Sequence, residues 1–288
     1  MTGDVGITTL DVDEDTSALD PAMLATLVET VAQVDGLARR LQRVVRAGPA
    51  KSSRAASDLK NPEGRFVFVF ATQALGFAVD HLRSWQLLVF GGLHPTFAQM
   101  TLVRAGLEGA VTARWLVDPR VAPDIRVARG VAAALDDYEE RAKFERSANI
   151  TPPPDGDTAK SAAARIEELK ANREAAGLPV VRYPSTTWLM GEFGGIDSDG
   201  IWLYRLVSAF AHAKQWSLAG TDRTPRRQSH LMSGVEGGTV TASDQIVLFA
   251  TLRAFGLVEA ALAEIEEYCR SPSRPDRLIK RWRSPRRE

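Results

Sequence analysis

One cysteine, Cys269, stands alone among 288 residues. A disulfide framework is therefore excluded, and the chain suits a reducing compartment. Four histidines, at positions 81, 94, 212 and 230, are too scattered to give metal-ligand spacing with that one thiol. No metal or cofactor is expected. Familiar catalytic signatures are also missing: there is no phosphate-cradling Walker A loop, no dinucleotide-binding glycine pattern, no nucleophile elbow and no His-Glu-x-x-His. Net charge is absent, because 36 basic residues cancel 36 acidic ones, so overall charge selects no partner. Long apolar runs are lacking too. Phe66 to Val79 is interrupted by Thr72 and Gln73 and stops at Asp80-His81, short of the roughly 20 residues a membrane helix needs. The acidic start lacks the basic-then-apolar layout of a signal peptide. The expectation is a cytoplasmic protein with no membrane segment.

What remains is an ordinary globular composition, 44% hydrophobic and 25% charged, with apolar residues at helical spacing over most of the chain. Residues 1–19 read as an acidic mobile tail. Asp20-Pro21 supplies an N-cap and a first-turn proline, and Leu24 to Val45 keeps helical spacing until Gly48-Pro49. Residues 50–61 read as a polar connection. Helices are expected from Arg65 to Phe90, from Pro95 to Val117 and from Pro123 to Ser147, bounded by Gly91-Gly92 and Asp118-Pro119. The short link between the last two predicts antiparallel neighbours in contact. Residues 151–185 form a peripheral excursion, followed by a short helix over residues 185–192. A helix from Gly200 to Trp216, a polar loop over residues 221–229 and a small β-hairpin over residues 230–241 come next, then a last amphipathic helix to Cys269. The fold class is all-α: a single bundle of about five to six core helices over residues 20–270, with a basic tail over residues 271–288.

The Gly200–Trp216 helix has two unlike faces. At about 100° per residue, Ile201, Arg205, Ser208, His212 and Trp216 share one stripe, while Leu203, Leu206, Val207 and Phe210 make a core face. Arg205 and His212 lie two turns apart on the same side. If they act on RNA, the imidazole can move the proton of a ribose 2′-hydroxyl or of a leaving 5′-oxygen, and the guanidinium can hold the phosphate bidentately. The alternative is structural: Arg205 pairs with a carboxylate and His212 is a hydrogen-bonded residue at the core edge. Arg104 and Glu108, four apart on another helix, are either a structural ion pair or support for Arg205 or His212. Asp80 and His81 are secondary candidates for the same cavity as His212. The tail residues Arg274, Arg277, Lys280, Arg281 and Arg283, with Trp282 among them, have the composition of a nucleic-acid-binding arm.

Arg205, six intervening residues and His212 resemble the arginine–histidine motif of the HEPN superfamily. The stretch Arg104-Ala-Gly-Leu-Glu108, continuing to Ala113-Arg-Trp-Leu-Val-Asp-Pro119, is similar to helical actinobacterial proteins of HEPN-like character. The resemblance implies an all-helical bundle, a homodimer that doubles the site, and a metal-independent endoribonuclease of a toxin or phage-defence system. RNA is then the substrate, and an antitoxin or defence partner is expected. Active members carry a polar residue directly after the arginine, where this chain has Leu206. That departure speaks for a non-catalytic helical module that binds nucleic acid or a partner.

Overall fold

The computed structural model describes residues 20–93, 95, 97–149, 160–195, 199–212, 214, 216, 221–225 and 238–270. Both predicted tails, with Arg274, Arg277, Lys280, Arg281 and Arg283, lie outside these residues. So does the stretch 226–237.

Ten α-helices and one two-stranded sheet make up the described chain: α1 (Pro21–Ala32), α2 (Val34–Ala47), α3 (Arg54–Asp58), α4 (Arg65–Phe90), α5 (Ala98–Val117), α6 (Pro123–Ser147), α7 (Ala162–Ala175), α8 (Thr186–Phe193), α9 (Asp199–Ala211), β1 (Thr221–Pro225), β2 (Gly238–Ala242) and α10 (Asp244–Cys269). A short 3₁₀ turn, Pro62–Gly64, leads into α4. The architecture is an all-α bundle, and its apolar residues gather in one large core.

The pair α4–α5 is the centre of that core, and α10 packs on both, mostly on α5. The two central helices meet closely because Gly109 faces Ala74: a Cβ added there would lie 2.4 Å from the Ala74 carbonyl oxygen. Gly130 on α6 likewise faces the backbone of Val67 on α4, where a Cβ would lie 2.8 Å from its nitrogen. Helix α10 enters the core with polar anchors. Trp85 Nε1 donates to Thr251 Oγ1 at 3.1 Å. Arg114 on α5 donates to Glu264 and to the Phe193 carbonyl, which ties α5, α8 and α10 together. Among the described residues α10, over Gln245–Cys269, is the one helix long and apolar enough to cross a membrane, and half of its window is buried within the bundle. The apolar run at Phe66–Val79 does not have that character.

Several expectations change. The first helix is two, because i→i−3 bonds from Gln33 N to Thr30 O and from Gly36 N to Gln33 O tighten a turn at Gln33. Both halves thereby lie against α4 and α10. The polar connection holds α3, whose Ser53 cap accepts from Ala56 N and whose Ala55 and Asp58 are buried. Helix α5 starts at Ala98 rather than at Pro95. The strands pair Thr221–Pro225 with Gly238–Ala242, so the predicted polar loop supplies β1. Thr221, Thr224, Thr239, Val240 and Thr241 are β-branched, which outweighs their polarity as a strand signal.

Helices α5 and α6 touch sparsely; α6 instead packs across α4 and carries α7. Two buried carboxylates set that course. Asp118, at the end of α5, accepts from Arg120 and Arg129, and the Arg129 guanidinium also lies over the Trp115 ring. Asp58 on α3 takes both Nε and Nη2 of Arg126 at 2.9 Å and the Tyr268 hydroxyl at 2.9 Å. Their side chains are 0% and 4% exposed. Burial, followed by the Asp58 charge, drives the Tyr268 hydroxyl far above its ordinary range. Burial also pushes the Cys269 thiol up to about 11, which leaves it protonated and inert.

Removing one partner from the Asp58–Arg126 pair strands a buried charge, so Asp58→Ala or Arg126→Met is expected to cost about 3–5 kcal/mol. Replacing both together should cost less than either alone. Urea unfolding of the three variants measures this, and simple additivity would refute it.

Burial raises the Asp118 carboxyl, but hydrogen bonds from Arg120 and Arg129 outweigh that and hold it below its ordinary value. Its folded pKa is thus lower than its unfolded one. The stability it contributes is present above about pH 4 and is lost as pH falls through the folded value. Asp118→Asn is expected to be less stable than wild type at pH 7 and to lose less on further acidification. Unfolding curves at stepped pH decide it.

Candidate functional site

Helix α9 sits on α5 and α8. Leu203, Val207 and Phe210 are buried as the period requires, and Leu206 packs half-buried beside them. Tyr204 is buried as well. The helix ends at Ala211, earlier than Trp216. His212 N still donates to Ser208 O at 3.0 Å, so His212 keeps the helical direction, but Lys214 N reaches back to Ala209 O and closes the helix there. Trp216 therefore leaves the stripe while remaining at the same cleft.

That cleft, of about 350 Å³, gathers Arg104, Arg205, Ser208, His212, Lys214 and Trp216 at its walls. Arg205 and His212 are exposed, Ser208 is half-buried, and Arg205 makes no ion pair among the described residues. Three cations thus surround one imidazole.

His212 is held by Arg104, not by Arg205. Arg104 Nη1 lies 2.9 Å from His212 Nε2. A guanidinium only donates, so Nε2 accepts and the ring's single proton sits on Nδ1 in this arrangement. Arg104 Nε in turn donates to Glu108 Oε1 at 2.8 Å, and Tyr204 donates its hydroxyl to the same oxygen at 2.9 Å. Burial pulls the Arg104 guanidinium down, but the hydrogen bond and charge of Glu108 outweigh it and leave Arg104 above its ordinary value. Burial, then the Glu108 charge, pushes the Tyr204 hydroxyl up. The result is a chain from Glu108 through Arg104 to His212, buttressed by Tyr204.

Of the residues expected at the site, Arg104, Arg205, Ser208 and His212 line one cleft, and Glu108 stands behind Arg104. Tyr204 and Lys214 were not anticipated. Tyr204 lies about 100° around the helix from Arg205, and nothing in the spacing announces its reach to Glu108. His81 is elsewhere: its Nδ1 bonds the Phe77 carbonyl at 2.8 Å and its ring lines a different cavity. Among the described residues no group of three or more histidine, cysteine, aspartate or glutamate side chains gathers as a metal site.

Comparison with family models, with curated proteins and with solved structures yields no match for this chain.

The Arg104–His212 bond predicts the tautomer. With the ring neutral, nitrogen NMR should find the proton on Nδ1 of His212, and Arg104→Ala should abolish that preference. A proton on Nε2 in the wild type would refute the arrangement.

Proposed function

We propose that this chain is a metal-independent endoribonuclease of HEPN-like character, working at the cleft between α5 and α9. The observation that carries the reading is the convergence of Arg205, Arg104 and His212 on one open, cationic cleft. A phosphate oxygen is a stronger acceptor for a guanidinium than a neutral imidazole is. An RNA phosphodiester entering the cleft draws the Arg104 donor from His212 to itself and frees the Nε2 lone pair. Nε2 then takes the ribose 2′-hydroxyl proton, the 2′-oxygen attacks phosphorus to form a 2′,3′-cyclic phosphate, and the P–O5′ bond breaks as the imidazolium returns its proton to the leaving 5′-oxygen. Arg205 and Arg104 stabilise the extra charge on the phosphoryl oxygens. Glu108 keeps Arg104 oriented through the exchange.

The same reading carries a homodimer, an antitoxin or defence partner, and a cytoplasmic setting. Trp202, half exposed and stacked on Phe249 at 5.6 Å, and exposed Trp216 and Leu252 supply apolar surface for a second copy.

One observation favours a second reading, a nucleic-acid-binding module without turnover. The Nε2 lone pair that a general base needs is occupied by Arg104, and the residue after Arg205 is the half-buried Leu206.

Incubation with single-stranded RNA in a metal chelator separates the two. Cleavage is expected, while DNA of the same sequence, lacking the 2′-hydroxyl, should be bound but uncut. His212→Ala should lower the rate about 10²–10⁴-fold with the fold intact. Arg205→Lys should rescue Arg205→Ala poorly, because a point charge lacks the planar fork. RNA bound but never cut supports the binding module, and equal cleavage by wild type and folded His212→Ala would sink the catalytic assignment.

A further inference from the structure

A second cavity lies where α6 diverges from α5. It has a volume of about 560 Å³, within the range of about 300–1,000 Å³ typical of small-molecule sites. Its floor is the α4–α5 contact itself, with Ala74, Ala105 and Gly109 exposed to it because no larger side chain fits between those helices. Phe70 and Phe77 form one apolar wall, and Tyr183 forms an end wall, its ring edge-on to Trp115 at 5.4 Å and its hydroxyl 3.4 Å from Thr112 Oγ1. Phe77 is 59% exposed, unusual for a phenylalanine in the middle of a long core helix. Apolar side chains thus dominate the lining.

Carboxylates dominate the ionisable lining of this cavity, with His81 of α4 beside them. Asp136, Asp137 and Glu140 stand along the α6 side and Glu108 along the α5 side, and no lysine or arginine lines it. Glu140 is paired with Lys143 and Glu108 with Arg104. Asp136 and Asp137 have no ion pair or side-chain hydrogen bond among the described residues. Desolvation, then the nearby charges of Glu140 and Glu139, raises the Asp136 carboxyl above its ordinary value, so a cation beside it would relieve a cost the fold already bears. Aromatic faces next to carboxylates without an ion-pair partner are the chemistry that recognises an organic ammonium group.

We infer that the cavity between α4, α5 and α6 is a binding site for a small organic cation with an apolar body, its ammonium group held by Asp136 and Asp137 and its hydrocarbon or aryl part lying against Phe70, Phe77 and the Gly109 floor. The shape requires both halves of such a ligand. A bare polycation leaves the apolar floor unused, and a carboxylate of the same shape meets like charge. The site is distinct from the Arg104–His212 cleft: the two have no lining residue in common, although Glu108, on this cavity's wall, also bonds Arg104.

The test is calorimetric titration of the full chain with phenylbutylamine, phenylbutanol, phenylbutyrate and spermidine. The amine should bind about tenfold more tightly than the alcohol, with phenylbutyrate and spermidine weaker than both. Asp136→Asn combined with Asp137→Asn should erase the difference between amine and alcohol. Phe77→Ala should weaken both, and His212→Ala should change neither. All four substitutions fall on exposed side chains, so circular dichroism should report an unchanged bundle. Equal affinity for amine and alcohol in the wild type, undiminished amine binding by the double asparagine variant, or no binding by the amine would overturn the inference.

Discussion

The contact between α4 and α5 across Gly109 decides the layout of everything else. A methyl group there would run into the Ala74 carbonyl, so the two helices meet backbone to backbone at that point. Close approach leaves α5 with two usable flanks. On one flank Arg104 and Glu108 reach α9; on the other Ala105, Gly109 and Thr112 form the floor of a cavity. Both candidate sites are consequences of one helix held tightly on its neighbour, and Glu108, which lines the cavity, is linked to the cleft through its bond to Arg104.

Buried ions then direct the rest of the chain. Asp58, Arg126 and Tyr268 join α3, α6 and α10 where α6 begins, while Asp118 with Arg120 and Arg129 fixes the corner after α5. Such pairs contribute little net stability against apolar alternatives, but they are costly to break singly. Their role here is directional. They steer α6 over α4 and away from α5, and that divergence opens the cavity. An apolar junction of equal volume would stabilise the bundle without choosing this angle.

At the other flank, the chemistry depends on how an arginine shares itself. Arg104 is anchored on one side by Glu108, whose carboxylate also takes the Tyr204 hydroxyl, and donates to a neutral imidazole on the other. A strong anionic acceptor outcompetes imidazole for that donor. On the reading proposed above, phosphate would act on the cleft through that single hydrogen bond, and the same bond sets the histidine tautomer in the absence of ligand.

The sequence by itself determined the elements whose signals are local. Gly91-Gly92, Asp118-Pro119 and Pro123 bound α4, α5 and α6, Asp20 and Ser185 cap α1 and α8, and the apolar period of α9 separates its core face from Arg205 and Ser208. Caps, prolines and periodicity act within a few residues, so they can be read without the fold. Tertiary structure alone decided the turn at Gln33, the pairing of β1 with β2, and the separation of α5 from α6. It also decided that the partner of His212 is Arg104, 108 positions away, rather than Arg205 on the same helix. Two residues two turns apart share a face whatever the fold, but which side chain fills the space above them depends on how neighbouring helices cross. That crossing is set by glycine contacts and buried ion pairs between distant segments, and no local pattern records it.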